Sequence, residues 1–84
     1  MVTVTLTPSA AADFEDLPRP IQTRVVALFR RLEHWPEVSG VKPLRGNLAG
    51  SYRIRTGDYR LQFRVEGHKL RVVKIGHRAK FYED

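Results

Sequence analysis

The 84-residue chain has no cysteine, which excludes a disulfide framework and thiolate chemistry and fits a cytoplasmic protein. No apolar run approaches the roughly 20 residues of a membrane-spanning helix. The first ten residues also lack the basic start and long apolar stretch of a signal peptide. The three histidines, His34, His68 and His77, are scattered, and no metal-ligand spacing accompanies them. We therefore expect neither a metal ion nor another cofactor.

The positive charge is concentrated in the second half of the chain. Residues 1–39 contain four arginines and five acidic residues, for a net charge of −1. Residues 40–84 contain eleven lysines and arginines and four acidic residues, for a net charge of +7. A basic surface of this kind is typical of nucleic-acid binding. A solvated sheet face, or a site for an acidic protein partner, would account for it as well.

The first half of the chain predicts one strand and two helices. Val2–Leu6 alternates β-branched residues and is read as a strand. Ser9 is a candidate N-cap for a short helix over Ala10–Leu17. Apolar residues then recur at helical spacing over Ile21–Trp35, and Pro36 ends that helix. Its apolar face is expected to lie across a sheet.

The second half predicts a meander of strands. Val41–Leu44 is a short strand that Pro43 confines to an edge. Ser51–Ile75 reads as three strands separated by turns at Thr56-Gly57 and Glu66-Gly67, where glycine supplies the positive φ of a tight hairpin. We expect one domain over residues 1–84, of the α+β class. Its small antiparallel sheet combines the N-terminal strand with the meander, and both helices pack on one face.

Alternation along the three strands gives the sheet an apolar face and a basic face. With the predicted turns, Arg53 lies opposite Arg60, and Phe63 lies opposite Leu70. A like-charge cross-strand pair is destabilising unless an anion lies between its members, which favours a phosphate site. The apolar face comprises Tyr52, Ile54, Tyr59, Leu61, Phe63, Leu70 and Val72. The basic face comprises Arg53, Arg55, Arg60, Gln62, Arg64, Lys69 and Arg71.

The second half of the chain contains four short motifs, followed by Tyr82. They are Lys42-Pro43-Leu44-Arg45-Gly46, Tyr52-Arg53-Ile54-Arg55, Gly57-Asp58-Tyr59-Arg60 and Val73-Lys74-Ile75-Gly76-His77-Arg78. Together they resemble the RelE/ParE superfamily of bacterial toxins from toxin–antitoxin pairs. The RelE branch implies ribosome-dependent cleavage of mRNA, and the ParE branch implies poisoning of DNA gyrase. The RelE pattern has suitable residues at all of its positions here, which favours cleavage over gyrase binding; a non-catalytic RNA-binding module remains a third interpretation.

The resemblance implies roles for individual residues. Arg53 and Arg55 stand where RelE-type proteins can have lysines, and because arginine keeps its proton, neither can act as a base. The leading candidate base is Tyr82, whose pKa nearby guanidinium groups would lower from about 10. His77 is the second candidate, because an imidazole exchanges protons near neutral pH. The expected catalytic set is Arg53, Arg55, Arg60, His77, Arg78 and Tyr82.

Other basic residues are expected to hold the RNA backbone without taking part in the chemistry. The resemblance also implies a cognate antitoxin, which would cover the basic face with an acidic segment. Trp35, at the end of the second helix, is interpreted as core packing in preference to a base-stacking platform. The expected RNA-binding residues are Arg45, Arg64, Lys69, Arg71, Lys74 and Lys80.

Overall fold

The computed structural model describes residues 1–81 and has two helices and five strands in that part of the chain. It also has two short 3₁₀ turns, at Gly46–Leu48 and at Arg78–Lys80. The second of these is called the C-terminal turn below. The elements are β1 (Thr3–Leu6), α1 (Pro8–Glu15), α2 (Arg19–Leu32), β2 (Lys42–Pro43), β3 (Ser51–Thr56), β4 (Tyr59–Glu66) and β5 (Lys69–His77).

The five strands form one sheet in the order β1-β5-β4-β3-β2. β3, β4 and β5 are an antiparallel meander, and β2 extends it at the edge, as Pro43 predicts. β1 runs parallel to β5 at the other edge, so the sheet is mixed. Parallel strands cannot be joined by a tight turn. Here both helices and the other three strands lie between β1 and β5 along the chain. The predicted α+β class is confirmed.

Proline placement decides where both helices begin. The N-cap of α1 is Thr7 and not Ser9, which corrects the sequence interpretation: Thr7 Oγ1 accepts a hydrogen bond from the amide of Ala10 at 3.1 Å. Pro8 then takes the first helical position, where its missing N–H costs nothing. Pro20 likewise lies in the first turn of α2, as predicted.

The core lies between the helices and the apolar face of the sheet. Trp35 packs against Tyr52 and Phe63, with ring centroids 4.8 and 5.5 Å away, so its interpretation as a core residue is confirmed. Both helices cover the apolar face, so neither of them blocks the opposite, basic face of the sheet. The buried apolar residues are Ala10, Val25, Leu28, Leu32, Ile54, Leu61, Phe63, Leu70, Val72, Ile75 and Phe81.

The predicted hairpin register is wrong by two residues. The loops are Gly57-Asp58 and Gly67-His68, so Arg60 lies opposite Arg55, while Arg53 lies opposite Gln62. Each glycine has φ near +60° at the first loop position, and no non-glycine residue among those described has positive φ. This is the pattern of a type II′ turn, in which glycine comes first. The sequence analysis predicts glycine at the second loop position, which is wrong.

A bulge in β5 alters the second hairpin further. Phe63 lies opposite Val72, and not opposite Leu70 as predicted, whereas Gln62 lies opposite Lys74. Val73 is therefore an extra residue on β5. The bulge reverses the alternation, bringing Lys74 onto the basic face and the next residue into the core.

Candidate functional site

Three arginines of the basic face lie close together at the β3–β4 hairpin. Arg55 and Arg60 are directly opposed, and Arg53 lies two residues along β3 on the same face. Arg53 and Arg60 are half-buried, whereas Arg55 is exposed. One guanidinium nitrogen of Arg60, Nη1, is shielded from solvent. The like-charge apposition predicted for Arg53 and Arg60 is thus present in this hairpin, but between Arg55 and Arg60.

A pocket of about 470 Å³ opens where these arginines meet the edge of the sheet. β2 contributes Lys42, which is paired with Arg53 across the strands. Four cationic side chains therefore line one pocket, and such a cluster binds an anion with several oxygen atoms, such as a phosphate. The lining residues are Gly40, Val41, Lys42, Arg53, Ile54, Arg55 and Arg60.

Four of the lining residues were not among the predicted site residues, and Val41 and Lys42 are two of them. Both lie in or beside β2, which reaches the pocket only through its pairing with β3. The signal was present: Lys42 opens the motif Lys42-Pro43-Leu44-Arg45-Gly46, and Pro43 marks an edge strand. The register of the β2–β3 pairing, which places Lys42 opposite Arg53, does not follow from these signals.

The C-terminal turn is attached to the β3–β4 loop. The amide of Arg78 donates to the carbonyl oxygen of Asp58 at 2.8 Å, and Arg78 Nε lies 3.9 Å from Asp58 Oδ1. Both side chains are exposed, so this ion pair contributes little to stability. The backbone hydrogen bond nevertheless places Arg78 beside the loop between β3 and β4.

His77 caps the C-terminal turn. Its Nδ1 accepts a hydrogen bond from the amide of Ala79 at 3.1 Å, and its ring packs edge-on against Tyr59 at 5.5 Å. A neutral imidazole that accepts at Nδ1 carries its proton at Nε2. His77 is therefore arranged to donate a hydrogen bond from Nε2 while its acceptor nitrogen is occupied.

Lys74 holds the other end of this turn. Its ammonium donates to the carbonyl oxygen of Lys80 at 2.8 Å and lies 4.5 Å from the ring centre of Phe81. Phe81 is buried, and Lys80 passes so close to Gly76 that a β-carbon there would lie 3.1 Å from Lys80 Cδ. Gly76 thus permits the close approach of the turn to β5.

The remaining predicted RNA-binding residues lie away from the pocket. Arg64 and Arg71 are directly opposed across β4 and β5, and Arg71 lies 4.0 Å from Glu66. Lys69 is exposed on β5, and Arg45 is exposed before the first 3₁₀ turn. Their role in holding RNA stays a prediction. Tyr82, the leading candidate base, lies outside the described residues.

Residues 1–81 contain neither a metal-binding cluster nor a membrane-spanning helix. No group of three or more His, Cys, Asp or Glu side chains in this range is placed to hold a metal ion. None of the helices in the same range is long and apolar enough to cross a membrane.

Comparison with known proteins identifies the family of this chain. It is 40% identical over 83 residues to toxin RelG of Mycobacterium tuberculosis, covering 95% of this chain and 94% of RelG. Toxin RelE of the same organism is 34% identical, with 94% of this chain and 84% of that protein covered. The toxin–antitoxin complex RelBE2 of M. tuberculosis contains a chain with a TM-score of 0.80 and 32% identity, covering 92% of this chain and 98% of that one.

A family model described as the ParE toxin of type II toxin–antitoxin systems, parDE, matches residues 4–82, which is nearly the whole sequence. The family match and the two curated relatives agree with the resemblance seen in the motifs. The chain therefore belongs to the ParE toxin family, within the RelE/ParE superfamily of toxins from toxin–antitoxin systems.

Proposed function

We propose that this toxin is an endoribonuclease that cleaves mRNA bound to the ribosome. The observation that carries the proposal is the pocket in which Arg53, Arg55 and Arg60 converge with Lys42. A scissile phosphate in this pocket would be surrounded by fixed donors. Preorganised cations stabilise the charge that develops during phosphoryl transfer, and such stabilisation commonly contributes more to catalysis than any other single effect.

The proposed reaction uses the 2′-hydroxyl of the RNA as the nucleophile. Its oxygen attacks the adjacent phosphorus while a base takes the proton. The bond to the 5′-oxygen of the next nucleotide then breaks, and that oxygen receives a proton. The products are a 2′,3′-cyclic phosphate and a free 5′-hydroxyl. Arginines of the pocket would stabilise the phosphorane oxygens, and Arg78 would steady the leaving group.

Tyr82 is the preferred base, with His77 as the alternative. The hydrogen bond from Ala79 to His77 Nδ1 supports this order, because it occupies the nitrogen that would otherwise accept a proton. His77 is better suited to donate from Nε2 to a phosphate oxygen. In the sequence, Tyr82 is four residues after Arg78, and guanidinium groups beside its hydroxyl would favour the anionic form.

The proposed partner is a cognate antitoxin with an acidic segment. RelBE2, which shares 32% identity and this fold, was solved as a toxin–antitoxin complex. The basic face of this chain is opposite α1 and α2, and in residues 1–81 the C-terminal turn contacts it at Lys74 and Gly76. An acidic segment laid across it would block the pocket electrostatically and sterically.

A second candidate function is inhibition of DNA gyrase, which the ParE description of the family model favours. One experiment separates it from RNA cleavage. Purified toxin is incubated with mRNA on ribosomes, with the same mRNA free in solution, and with gyrase and supercoiled DNA. Our proposal predicts cuts only in ribosome-bound mRNA, ending in 2′,3′-cyclic phosphate. Intact transcripts together with gyrase-dependent DNA breaks would support gyrase inhibition, and intact RNA and DNA would indicate a passive binder.

A further inference from the structure

The side chain of Asp13 connects α1 to the C-terminal half of β5. Its Oδ2 accepts a hydrogen bond from the backbone N–H of Ile75 at 3.1 Å, which joins residues 62 positions apart in the sequence. Asp13 is half-buried, and Ile75 is buried. A buried N–H is costly to leave without an acceptor, and a charged acceptor makes the stronger bond. Removing this carboxylate would therefore weaken the attachment of the strand to the helix.

This half of β5 lies beyond the end of β1. The pairing of the two strands stops at Leu6 and Val72, and just after it the amide of Thr7 donates to the carbonyl oxygen of Val72 at 3.0 Å. The chain then enters α1, while β5 continues past its bulge. Within residues 1–81, this part of β5 pairs with a strand on its β4 side only. Asp13 thus supplies an acceptor where a neighbouring strand would otherwise provide one.

Packing between the end of α1 and the end of β5 is incomplete. A second pocket, of about 230 Å³, opens between these two ends. Side chains that border open space make fewer contacts across it, so they hold the two elements together less firmly. The hydrogen bond from Ile75 to Asp13 therefore contributes much of the attachment at this point. The titratable residues that line the second pocket are Asp13, Asp16, Tyr59, His77 and Lys80.

The strand end that Asp13 holds leads directly to residues of the proposed reaction. Gly76 follows Ile75 and lies opposite Arg60, and Arg78 begins the C-terminal turn two residues later. We propose that Asp13 is a positioning residue for RNA cleavage, because it fixes the part of β5 that adjoins Arg60 and carries Arg78. Asp13 does not line the pocket on the basic face, so it acts through the backbone of β5. This role rests on the proposed function.

Hydrogen exchange in the purified toxin tests the structural part of this proposal without any RNA. Asp13→Ala removes the acceptor, so exchange at the Ile75 amide should become about ten-fold faster or more. Asp13→Asn keeps an acceptor oxygen on a side chain of the same shape and should restore most of the protection. Asp16→Ala is the matched control, because it removes the same charge from the same pocket while Ile75 keeps its acceptor. Unchanged exchange at Ile75 in Asp13→Ala would overturn the proposal.

Cleavage kinetics separate positioning from stability. At saturating ribosomes, Asp13→Ala should lower the single-turnover rate by about ten-fold, while the half-saturating ribosome concentration changes by less than about two-fold. Asp13→Asn should recover most of the rate, and Asp16→Ala should match the unmodified protein. Circular dichroism identifies an assay temperature at which the variants are folded.

Asp13→Glu is a second variant, for use if Asp13→Ala does not fold. It keeps the charge but displaces the carboxylate by one methylene, so it should change exchange and rate in the same direction. Normal cleavage by a folded variant in which Ile75 exchanges faster would contradict a role in cleavage. An unmodified toxin that cuts no RNA would remove the proposed function, and the exchange data would still decide whether Asp13 holds β5.

Discussion

At the scale of single residues, the proposed chemistry divides between side chains that carry charge and one that moves a proton. Arginine keeps its proton, so Arg53 and Arg55 could stabilise a phosphorane but cannot act as a base. The base must come from elsewhere. His77 has its Nδ1 engaged by Ala79, which leaves Tyr82 as the better candidate.

Tyr82→Phe tests this assignment, because it removes one oxygen and changes packing little. We predict that it lowers the cleavage rate of ribosome-bound mRNA by about 10²–10⁴-fold, the usual contribution of general acid–base catalysis. Affinity for the ribosome should be nearly unchanged, since the arginines still bind phosphate. The measurement is single-turnover cleavage with ribosomes in excess. Normal cleavage by this variant together with an inactive His77→Ala would transfer the base role to His77.

At the scale of elements, the sequence predicted which face each strand residue occupies but not the pairing. The alternation of Tyr52, Arg53 and Ile54 fixes faces, and a slip of two residues preserves every face. The choice between Thr56-Gly57 and Gly57-Asp58 as the loop therefore could not be made from alternation. Turn chemistry was the remaining guide, and it allows glycine at either loop position.

The bulge at Val73 and the pocket contribution of Val41 were also beyond local pattern reading. Adjacent valines at 72 and 73 interrupt alternation, which is a weak sign of a bulge. The position of Val41 depends on pairing between β2 and β3 around the first 3₁₀ turn, which is a tertiary property. By contrast, the two helices, the apolar face and the basic face follow from spacing and charge along the chain.

The C-terminal turn is the element that Lys74 is expected to hold in position. Lys74→Met keeps the aliphatic stem but removes the hydrogen bond to Lys80 and the contact of its ammonium with the ring of Phe81. We predict faster hydrogen exchange at the Phe81 amide, which donates to Arg78 within the turn. The cleavage rate should fall.

A suitable control for that variant is Lys69→Met, at the opposite end of β5. It removes the same charge but makes no described contact with the C-terminal turn, so exchange at Phe81 should match that of the unmodified protein. If Lys74→Met also leaves Phe81 exchange unchanged, Lys74 does not hold the turn.

The packing of α2 on the sheet gives a prediction for stability. Leu28 and Phe63 are 4% and 0% exposed and belong to one core cluster. Truncating either to alanine should lower the free energy of unfolding by about 2–5 kcal/mol. Val26→Ala, on the exposed side of α2, should change it by less than about 0.5 kcal/mol. Denaturant unfolding measures all three, and equal stability of the core and surface variants would contradict the packing.

At the scale of the whole molecule, charge and architecture are separated in space. The helices and the apolar face stabilise the fold, while the excess positive charge lies in the strand half. This separation allows a dense group of arginines on the sheet, because the core beneath them does not depend on those side chains. Under the proposed function, an acidic segment of the antitoxin would cover these arginines when the toxin is idle.

Binding of the antitoxin should therefore be sensitive to salt. An acidic peptide from the cognate antitoxin is expected to bind the purified toxin with an affinity that falls steeply as ionic strength rises, because exposed charges are screened. Titration calorimetry at several salt concentrations measures the effect. An affinity independent of salt would mean that the contact is mainly apolar and lies on the helices.

The central claim is that the arginine pocket promotes RNA cleavage, and the most direct test compares Arg60→Ala with Arg64→Ala. Both residues lie on the basic face of β4, but only Arg60 lines the pocket. The measurement is the single-turnover rate of ribosome-bound mRNA cleavage at saturating ribosomes. We predict a loss of about 10²–10³-fold for Arg60→Ala, comparable to removing one preorganised donor from a transition state, and a change of less than about three-fold for Arg64→Ala. Equal rates for the two variants would contradict the claim.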